Sequence, residues 1–482
     1  MRQIIFFLLS ISTTIFGQSN GNICIGKKDS LYSNFLKENR EIIVYVPRNE
    51  NPYVQTDKYP VLYLLDGDIL FSKTVGMLEH LSSDYGSERC PKTIVVGIIN
   101  SNRFKDLLPI TSKDKQDNID DFTSFMAKEL IPYIDKKYPT QQYRTLLGHS
   151  LGGLRSANTL VFQPQVFNSY IALDPSLGHD MNIWSNKTHD IMKSKTFENK
   201  SFYLAMAQTM PKSMDSSAIQ KDTTGMSRHM RSIMRFANDI NTNKNKGLNF
   251  NWKYYPNLTH GEVTFEGAYD GLKSIFSWYY NENINKIYDN VTCVNSAVEI
   301  ITKKYDIISS NMGLKVLPPE GVIIKIIDLL LSKGMKDKAV AFADLNVKNY
   351  SQSELANYYK NYVMWGDKKP LIDLLSNKTA KDISKLCLTE SKKTSPTYNI
   401  SEVAINELAY QLLQEKKLQD ALVFFKLNTE LYPKSSNAYD GYGECLLAVG
   451  KEKEGLAAYK KSLALNPDNS NADNVIKKHN QK

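Results

Sequence analysis

The stretch Leu146-Leu147-Gly148-His149-Ser150-Leu151-Gly152-Gly153 decides how this chain is read. An apolar run from Tyr143 to Leu147 leads into it, and a helical pattern from about Leu151 to Phe162 leads out. Gly148-His149-Ser150-Leu151-Gly152 has the G-x-S-x-G spacing of a sharp turn between a buried strand and a helix. The reason for the spacing is steric. A serine on so tight a turn brings other backbone close, and glycines two before and two after leave room for it. The turn lifts the Ser150 hydroxyl clear, with the positive end of the new helix beneath it. The plainer alternative is Ser150 as an ordinary helix cap. The apolar run on one side and the helical pattern on the other favour the first reading.

Working outward, the neighbouring segments alternate between buried strands and helices. Glu41-Ile42-Ile43-Val44-Tyr45-Val46-Pro47 is a strand ended by proline, within a first β region that runs from 19 to about 50. Tyr59-Pro60-Val61-Leu62-Tyr63-Leu64-Leu65 is a continuous apolar run stopped by Asp66-Gly67-Asp68. Lys92 to Ile99, Phe167 to Ser176, Ser201 to Ala207 and Asn249 to Tyr255 supply further strands. Helices are expected over Phe71 to Leu81, Ile119 to Tyr138, about Thr223 to Ile240 and Ala268 to Tyr280. Runs without apolar–polar alternation mark strands buried on both faces. The prediction is an α/β domain with a doubly wound, mostly parallel sheet. Sites in such sheets lie at the carboxyl ends of strands, where Asp66 to Asp68, Ser150 and His260 fall.

A serine needs a base to take its proton. Of the histidines, His260 in Tyr255-Pro256-Asn257-Leu258-Thr259-His260-Gly261 follows the last strand, where the base of this chain order belongs. His149 adjoins Ser150 but must leave the turn in another direction, while His179, His189 and His229 lie in polar segments before that strand. The orienting acid is expected between the fifth strand and His260. Asp222 is chosen, with Asp215 and Asp270 as alternatives and Asp239 less plausible inside a helix. Helix capping is the competing reading of Asp222. The oxyanion donors are expected to be the backbone N–H of Leu151 and, from the loop after the Val61–Leu65 strand, that of Asp68.

Tyr63-Leu64-Leu65-Asp66-Gly67-Asp68, Gly148-His149-Ser150-Leu151-Gly152-Gly153 and Thr259-His260-Gly261, in that order, resemble the esterase D-type branch of the α/β-hydrolases. Among its members the chain looks most like periplasmic siderophore-esterase-like serine hydrolases. The resemblance covers about residues 25 to 280. It implies an α/β-hydrolase fold, Ser150 as nucleophile, His260 as base and an oxyanion hole at Asp68 and Leu151. One departure concerns the acid. Many relatives carry a carboxylate directly after the fifth strand, where this chain has Ala207-Gln208-Thr209. Some of these hydrolases work with a serine–histidine pair, and that option stays open here.

Beyond Tyr280 only helices are expected. Pro433 and Pro467, Ala421 and Gly455, Phe425 and Tyr459, Ala409 and Gly443, and Leu412 and Leu446 repeat with a period of 34. That period and the pairing of small with large residues fit tetratricopeptide-like repeats. Val322 to Tyr350 reads as a degenerate earlier pair with Gly334 at its turn. Such an array serves either a peptide or protein partner or packing alone.

At 482 residues the chain is long enough for two or three domains, and 42% hydrophobic residues can build a sizeable core. The formal net charge of +9 is mild, and its basic residues do not form the runs of nucleic-acid arms. Arg2 followed by the apolar stretch Ile4 to Phe16, with Gly17, Gln18 and Ser19 after it, reads as a secretory signal. Four hydroxyl residues and the shortness of this stretch argue against a membrane span. The five cysteines are scattered without a C-x-x-C pair; a Cys24–Cys90 bridge is conceivable in an oxidising compartment, while a zinc site is not indicated. The expected organisation is a signal peptide at 1–18, a hydrolase domain at 19–285, a helical linker with degenerate repeats at 286–400 and tetratricopeptide-like repeats at 401–482. The expected activity is hydrolysis of a small-molecule carboxylic ester by an exported, secreted or periplasmic protein without a cofactor. The competing class is a non-catalytic binding or scaffolding protein acting through its repeats. Pocket walls are expected from Asn100 to Gln116 and Leu177 to Asn199; Arg103 and Lys105 would suit an anionic or catecholate ester unless they are ordinary solvated charges.

Overall fold

The computed structural model describes residues 24–48, 58–83, 88–109, 120–178, 181–210, 216–242, 247–393 and 396–480. The expected signal peptide lies outside the described residues. The chain divides into two compact units. One ends at Ile284 and takes in Ile301–Leu317; the other comprises Asn285–Ile300 and the chain from Pro318.

The first unit is built on an eight-stranded sheet: β1 (Lys27–Ser33), β2 (Glu38–Tyr45), β3 (Tyr59–Leu64), β4 (Ile94–Ile98), β5 (Thr140–His149), β6 (Ser169–Leu173), β7 (Lys200–Ala207) and β8 (Leu248–Tyr255), in the order β1-β2-β4-β3-β5-β6-β7-β8. Pairing is parallel from β4 through β8, and antiparallel for β1 with β2 and β2 with β4. The burial explains the composition. Every residue of β3, β4 and β6 is buried, as expected for parallel strands with helices on both faces. Strand β2 alternates, and β8, at the far edge, carries Asn249, Asn251 and Lys253. Polar residues on an edge strand discourage pairing with other chains.

The register places the site. Leu64 pairs with Leu147, His149 with Leu173, and Leu173 with Ala205. The residues just after β3, β5, β6 and β7 therefore come out along one edge of the sheet.

Several helices differ from expectation. The expected long helix is Asp121–Phe125 and Ile131–Lys137 joined by a π-helical turn at Met126–Leu130. The helix expected from about Thr223 to Ile240 is Arg228–Thr242, starting five residues late, and a separate short helix, Ser216–Lys221, precedes it. The segment expected to supply a pocket wall, Leu177 to Asn199, contains a helix at Met181–Ser194. The closing helix is Val263–Ile275, beginning and ending earlier than expected. Glu262 explains the early start. Its Oε2 accepts from the Thr259 backbone N–H at 2.8 Å and from the Thr259 hydroxyl at 2.7 Å, fixing the first turn immediately after His260.

The second unit is helical. Glu402–Gln414 and Ser436–Ala448 are offset by 34 residues, and so are Leu418–Leu431 and Glu452–Leu465. Phe424, Phe425, Ala409, Leu412 and Cys445 form part of its buried core. Side-chain bonds recur with the helices. Ser435 Oγ donates to Glu402 Oε1 at 2.6 Å, and Ser353 Oγ to Glu320 Oε1 at 2.6 Å. Tyr432 donates to the Ile400 carbonyl, as Tyr350 does to that of Pro318. All five cysteines are free, so the conceivable Cys24–Cys90 bridge is not formed: Cys24 is exposed and Cys90 buried. No helix among the described residues is long and apolar enough to cross a membrane.

Candidate active site

Ser150 sits between β5 and the helix Leu151–Phe162, with φ 57° and ψ −114°. A non-glycine residue in that region is strained, and surrounding structure must hold it there. It is held on both sides. Its N–H donates to the Leu173 carbonyl at 3.0 Å, and its carbonyl accepts from the N–H groups of Leu154 and Ser176, each at 2.9 Å. The glycines are sterically required. A Cβ on Gly148 would lie 2.2 Å from the Gly152 carbonyl oxygen, and one on Gly152 would press on Asp66 and Leu65. The Ser150 hydroxyl hydrogen-bonds to that of Ser176 at 3.1 Å, its sole partner among the described residues.

His260 follows β8 by way of a short turn, and its Nδ1 lies 2.5 Å from Asp174 Oδ2. Asp174 is the residue directly after β6, fully buried, with φ 39°. Its Oδ1 accepts from the Ala207 N–H at 2.9 Å, and its Oδ2 also accepts from His229 Nε2 at 2.9 Å. Burial alone would raise this carboxyl; the His229 and His260 hydrogen bonds overcome that and hold it down at about 2. An ionised carboxylate has no proton to give, so both facing ring nitrogens must be N–H. His260 is thus protonated at Nδ1, and in its neutral form the lone pair falls on Nε2. The His149 ring packs at 4.4 Å from that of His260, and its Nε2 meets the His260 carbonyl at 2.8 Å. Burial, followed by the neighbouring His260, pushes His149 down to about 4, so it is neutral at ordinary pH.

Ser150, Leu151 and Asp68 lie in the turns where they were expected. Asp68 is in the first turn of the helix Gly67–Ser82, and Leu151 opens the helix after Ser150. First-turn N–H groups have no partner within their own helix. Neither of these two backbone N–H groups has a partner among the described residues.

The acid is where the sequence reading fails. Asp222 does not meet His260: its carboxylate, exposed to solvent, accepts from Thr224 N–H at 3.2 Å and Thr224 Oγ1 at 2.6 Å. Nor does it cap a helix, the competing reading: the next helix starts only at Arg228, and Asp222 holds a local turn instead. Asp270 pairs with Lys253 and Tyr255, and Asp239 with His189. Asp215 lies outside the described residues. Asp174 and His229 were both missed. The available signal was position: Asp174 directly follows the strand next to that of Ser150, where the strand-end rule says to look.

Arg103 was weighed as either a charge for an anionic ester or an ordinary solvated one. Instead its guanidinium forks onto Asp66, with Nε to Oδ1 at 2.7 Å and Nη2 to Oδ2 at 2.9 Å, and Asn100 adds a third bond. The hydrogen bond to Asp66 raises the Arg103 pKa, so this charge is committed to bracing the β3 turn. Lys105 lies 3.8 Å from Glu38. Asp174, His229 and His260 offer donor atoms within 4.8 Å of one another and are the described group able to hold a metal ion. Their close bonds to one carboxylate oxygen are, as they stand, those of a proton-held cluster.

This constellation can be set beside known proteins. The sequence profile of the family described as "Putative esterase" matches residues 33–278, half the chain. The chain belongs to this esterase family. The solved IroE-like serine hydrolase of Shewanella oneidensis is 27% identical, with a TM-score of 0.55 over 67% of this chain and 99% of that one. The α/β-hydrolase-like fold is therefore shared. Ferri-bacillibactin esterase BesA of Bacillus subtilis is 25% identical over 211 residues, 40% of this chain and 72% of BesA. Uncharacterized protein YbbA of Bacillus subtilis is 27% identical over 154 residues, 30% of this chain and 59% of YbbA. The chain thus spans under two thirds of that relative's length.

Proposed function

We propose that this esterase is an exported serine hydrolase that cleaves a small-molecule carboxylic ester through an acyl-enzyme on Ser150, with His260 as base and Asp174 as acid. The observation that carries the reading is the strained Ser150 turn on the same sheet edge as a His260 whose Nδ1–H is held by a buried, ionised carboxylate. Ser150 gives its proton to His260 Nε2 as its oxygen attacks the ester carbonyl. This requires the hydroxyl to turn from Ser176 towards His260, a tightening common when substrate enters. The Leu151 and Asp68 N–H groups would receive the developing oxyanion. His260 then protonates the departing alcohol oxygen. In the second half it takes a proton from water as that water attacks the acyl carbon, then returns it to the Ser150 oxygen as the acyl–oxygen bond breaks and the acid leaves. Asp174 stabilises the imidazolium throughout and stays ionised.

The scaffolding alternative drew its motive from the missing acid, and Asp174 beside His260 removes that motive. The name of BesA, a ferri-bacillibactin esterase, points to a siderophore-type ester as substrate. Labelling by a fluorophosphonate probe with peptide mapping, in the wild type and Ser150→Ala, is the direct test. Rapid labelling at Ser150 and loss of ester turnover by a factor on the order of 10⁶ in the variant is expected. A folded Ser150→Ala protein with full turnover would exclude the mechanism. Export is tested by the mass of the mature chain, which should begin near residue 18 or 19. We read the helical unit as a tetratricopeptide-like array for a peptide partner, supported by its 34-residue period. Peptide-array titration without binding above background would leave it a packing appendage.

A further inference from the structure

The Asp174 carboxylate is shared. Two imidazoles from different parts of the chain donate to one oxygen: His260 Nδ1 at 2.5 Å and His229 Nε2 at 2.9 Å. Their rings stand 5.6 Å apart and nearly perpendicular, at 82°. A triad needs only the first of these. We infer that His229 is a positioning residue of the ester-cleaving site, fixing the Asp174 carboxylate by a second hydrogen bond and tempering its pull on His260. The inference rests on the serine-esterase reading above.

Three features carry it. The first is geometric need. With His260 and the Ala207 N–H alone, the Asp174 carboxylate would have one partner per oxygen and freedom to pivot about the pair. His229 supplies the third bond, which removes that freedom. The second is how His229 is itself held. It stands in the first turn of Arg228–Thr242, where its carbonyl accepts from Ser232 Oγ at 2.6 Å. Gly178 packs on that turn so closely that a Cβ there would sit 3.2 Å from Arg228 Cγ. Gly178 lies two residues after Ser176, the hydroxyl partner of Ser150, so one short segment keys both the nucleophile and the helix carrying His229. The third is charge. A carboxylate that shares its negative charge among three donors attracts the His260 imidazolium less than one with two. The His229 bond also ranks first among the interactions that lower the Asp174 pKa. His229 therefore softens the pull of Asp174 on the His260 ring that it orients.

The titratable groups that face this pair are Asp174 after β6, bonded to both rings, and His149 at the end of β5, whose ring packs on that of His260. Both remain when His229 alone is changed. His229 is partly exposed, so truncation leaves no large cavity.

The test compares His229→Ala, His229→Gln and the wild type, each normalised to fluorophosphonate-labelled Ser150 and checked for thermal midpoint. For His229→Ala, kcat should fall about tenfold to hundredfold, the size of one lost hydrogen bond to a charged group, with KM little changed. The acid limb of kcat/KM should move upward by about half a pH unit or more. Gln presents an N–H near the place of the ring Nε2, so His229→Gln should recover most of kcat. Unchanged kcat and an unmoved acid limb in His229→Ala would overturn the inference. So would a kcat loss that follows the thermal midpoint, with no limb shift and no recovery by Gln. Ser150→Ala separates the two levels: if that variant turns over normally, the serine-esterase reading fails; if it is dead while His229→Ala is normal, only the role of His229 fails.

Discussion

The two units of this esterase bring residues together in opposite ways. In the helical unit the meaningful distances are short and periodic: Ser435 meets Glu402, 33 residues back, as Ser353 meets Glu320. In the sheet unit they are long and aperiodic: Asp174 meets His260 across 86 residues and His229 across 55. A repeat writes its contacts into the sequence as a period, because each helix pair packs on the next in the same way. A doubly wound sheet writes only the positions of its strand ends. Which side chains then meet is decided by strand order, here β5-β6-β7-β8, and that order is not local information.

The largest expected effect probes the non-local side. Asp174→Asn should cut kcat by about 10⁴, because the amide favours the wrong His260 tautomer while the geometry survives. Asp222→Asn should leave ester turnover within about twofold of wild type, since an exposed turn residue contributes little. Steady-state kinetics on the two variants separates them; the reverse ranking would restore the acid to where sequence order put it. A pH effect accompanies the same residue. The carboxyl is lowered from 3.8 to about 2 on folding, so its ionisation stabilises the native state above about pH 4. That stabilisation is lost as pH falls through about 2, and Asp174→Asn should flatten this part of the acid unfolding curve.

The second effect probes the local side. Phe425 is fully buried in the helical unit, edge-on to Tyr410 at 4.9 Å between centroids. Its ring also fills the space that a side chain at Gly441 would need. Phe425→Ala should cost this unit about 3–5 kcal/mol, seen as a lower urea midpoint of its unfolding transition. Ester turnover below that midpoint should stay at the wild-type level. A parallel loss of turnover would mean that the two units do not act independently.

The same contrast explains what the sequence made legible. The Ser150 turn was readable because its requirement is local: a side chain at Gly148 would strike the Gly152 backbone, and one at Gly152 would crowd Asp66 and Leu65. His260 was readable because it follows the last strand. The acid was not, since the choice between Asp222 and Asp174 depends on which strand lies beside β5. Asp174 even looked like the end of a strand, in Leu173-Asp174-Pro175. His229 was set aside as one histidine in a polar segment, and only the placement of the Arg228–Thr242 helix brings it to the carboxylate. The role of Arg103 stayed open for a related reason. A basic residue reads as free until its partner is known, and Asp66 lies 37 residues earlier.

The smallest effect tests whether the repeat is a real unit of structure or a coincidence of spacing. Ser435 does two things at once: its hydroxyl accepts from the Ala438 N–H at 3.1 Å as a helix cap, and it donates to Glu402 of the preceding pair. Ser353 does the same with the Ala356 N–H at 3.2 Å and Glu320. Ser435→Ala and Ser353→Ala should therefore each cost about 1 kcal/mol of helical-unit stability, the ordinary worth of a lost cap. The linking bond predicts more than the size. If the serine acts partly through the glutamate, Ser435→Ala and Glu402→Gln should be less than additive together, because both remove one contact. The same non-additivity should appear for Ser353→Ala with Glu320→Gln, 82 residues earlier. Equal couplings at the two places would make the serine–glutamate link a property of the repeat itself. Coupling at Ser435 alone would confine the repeating unit to the chain after residue 400, with the earlier helices joined to it by a different kind of packing.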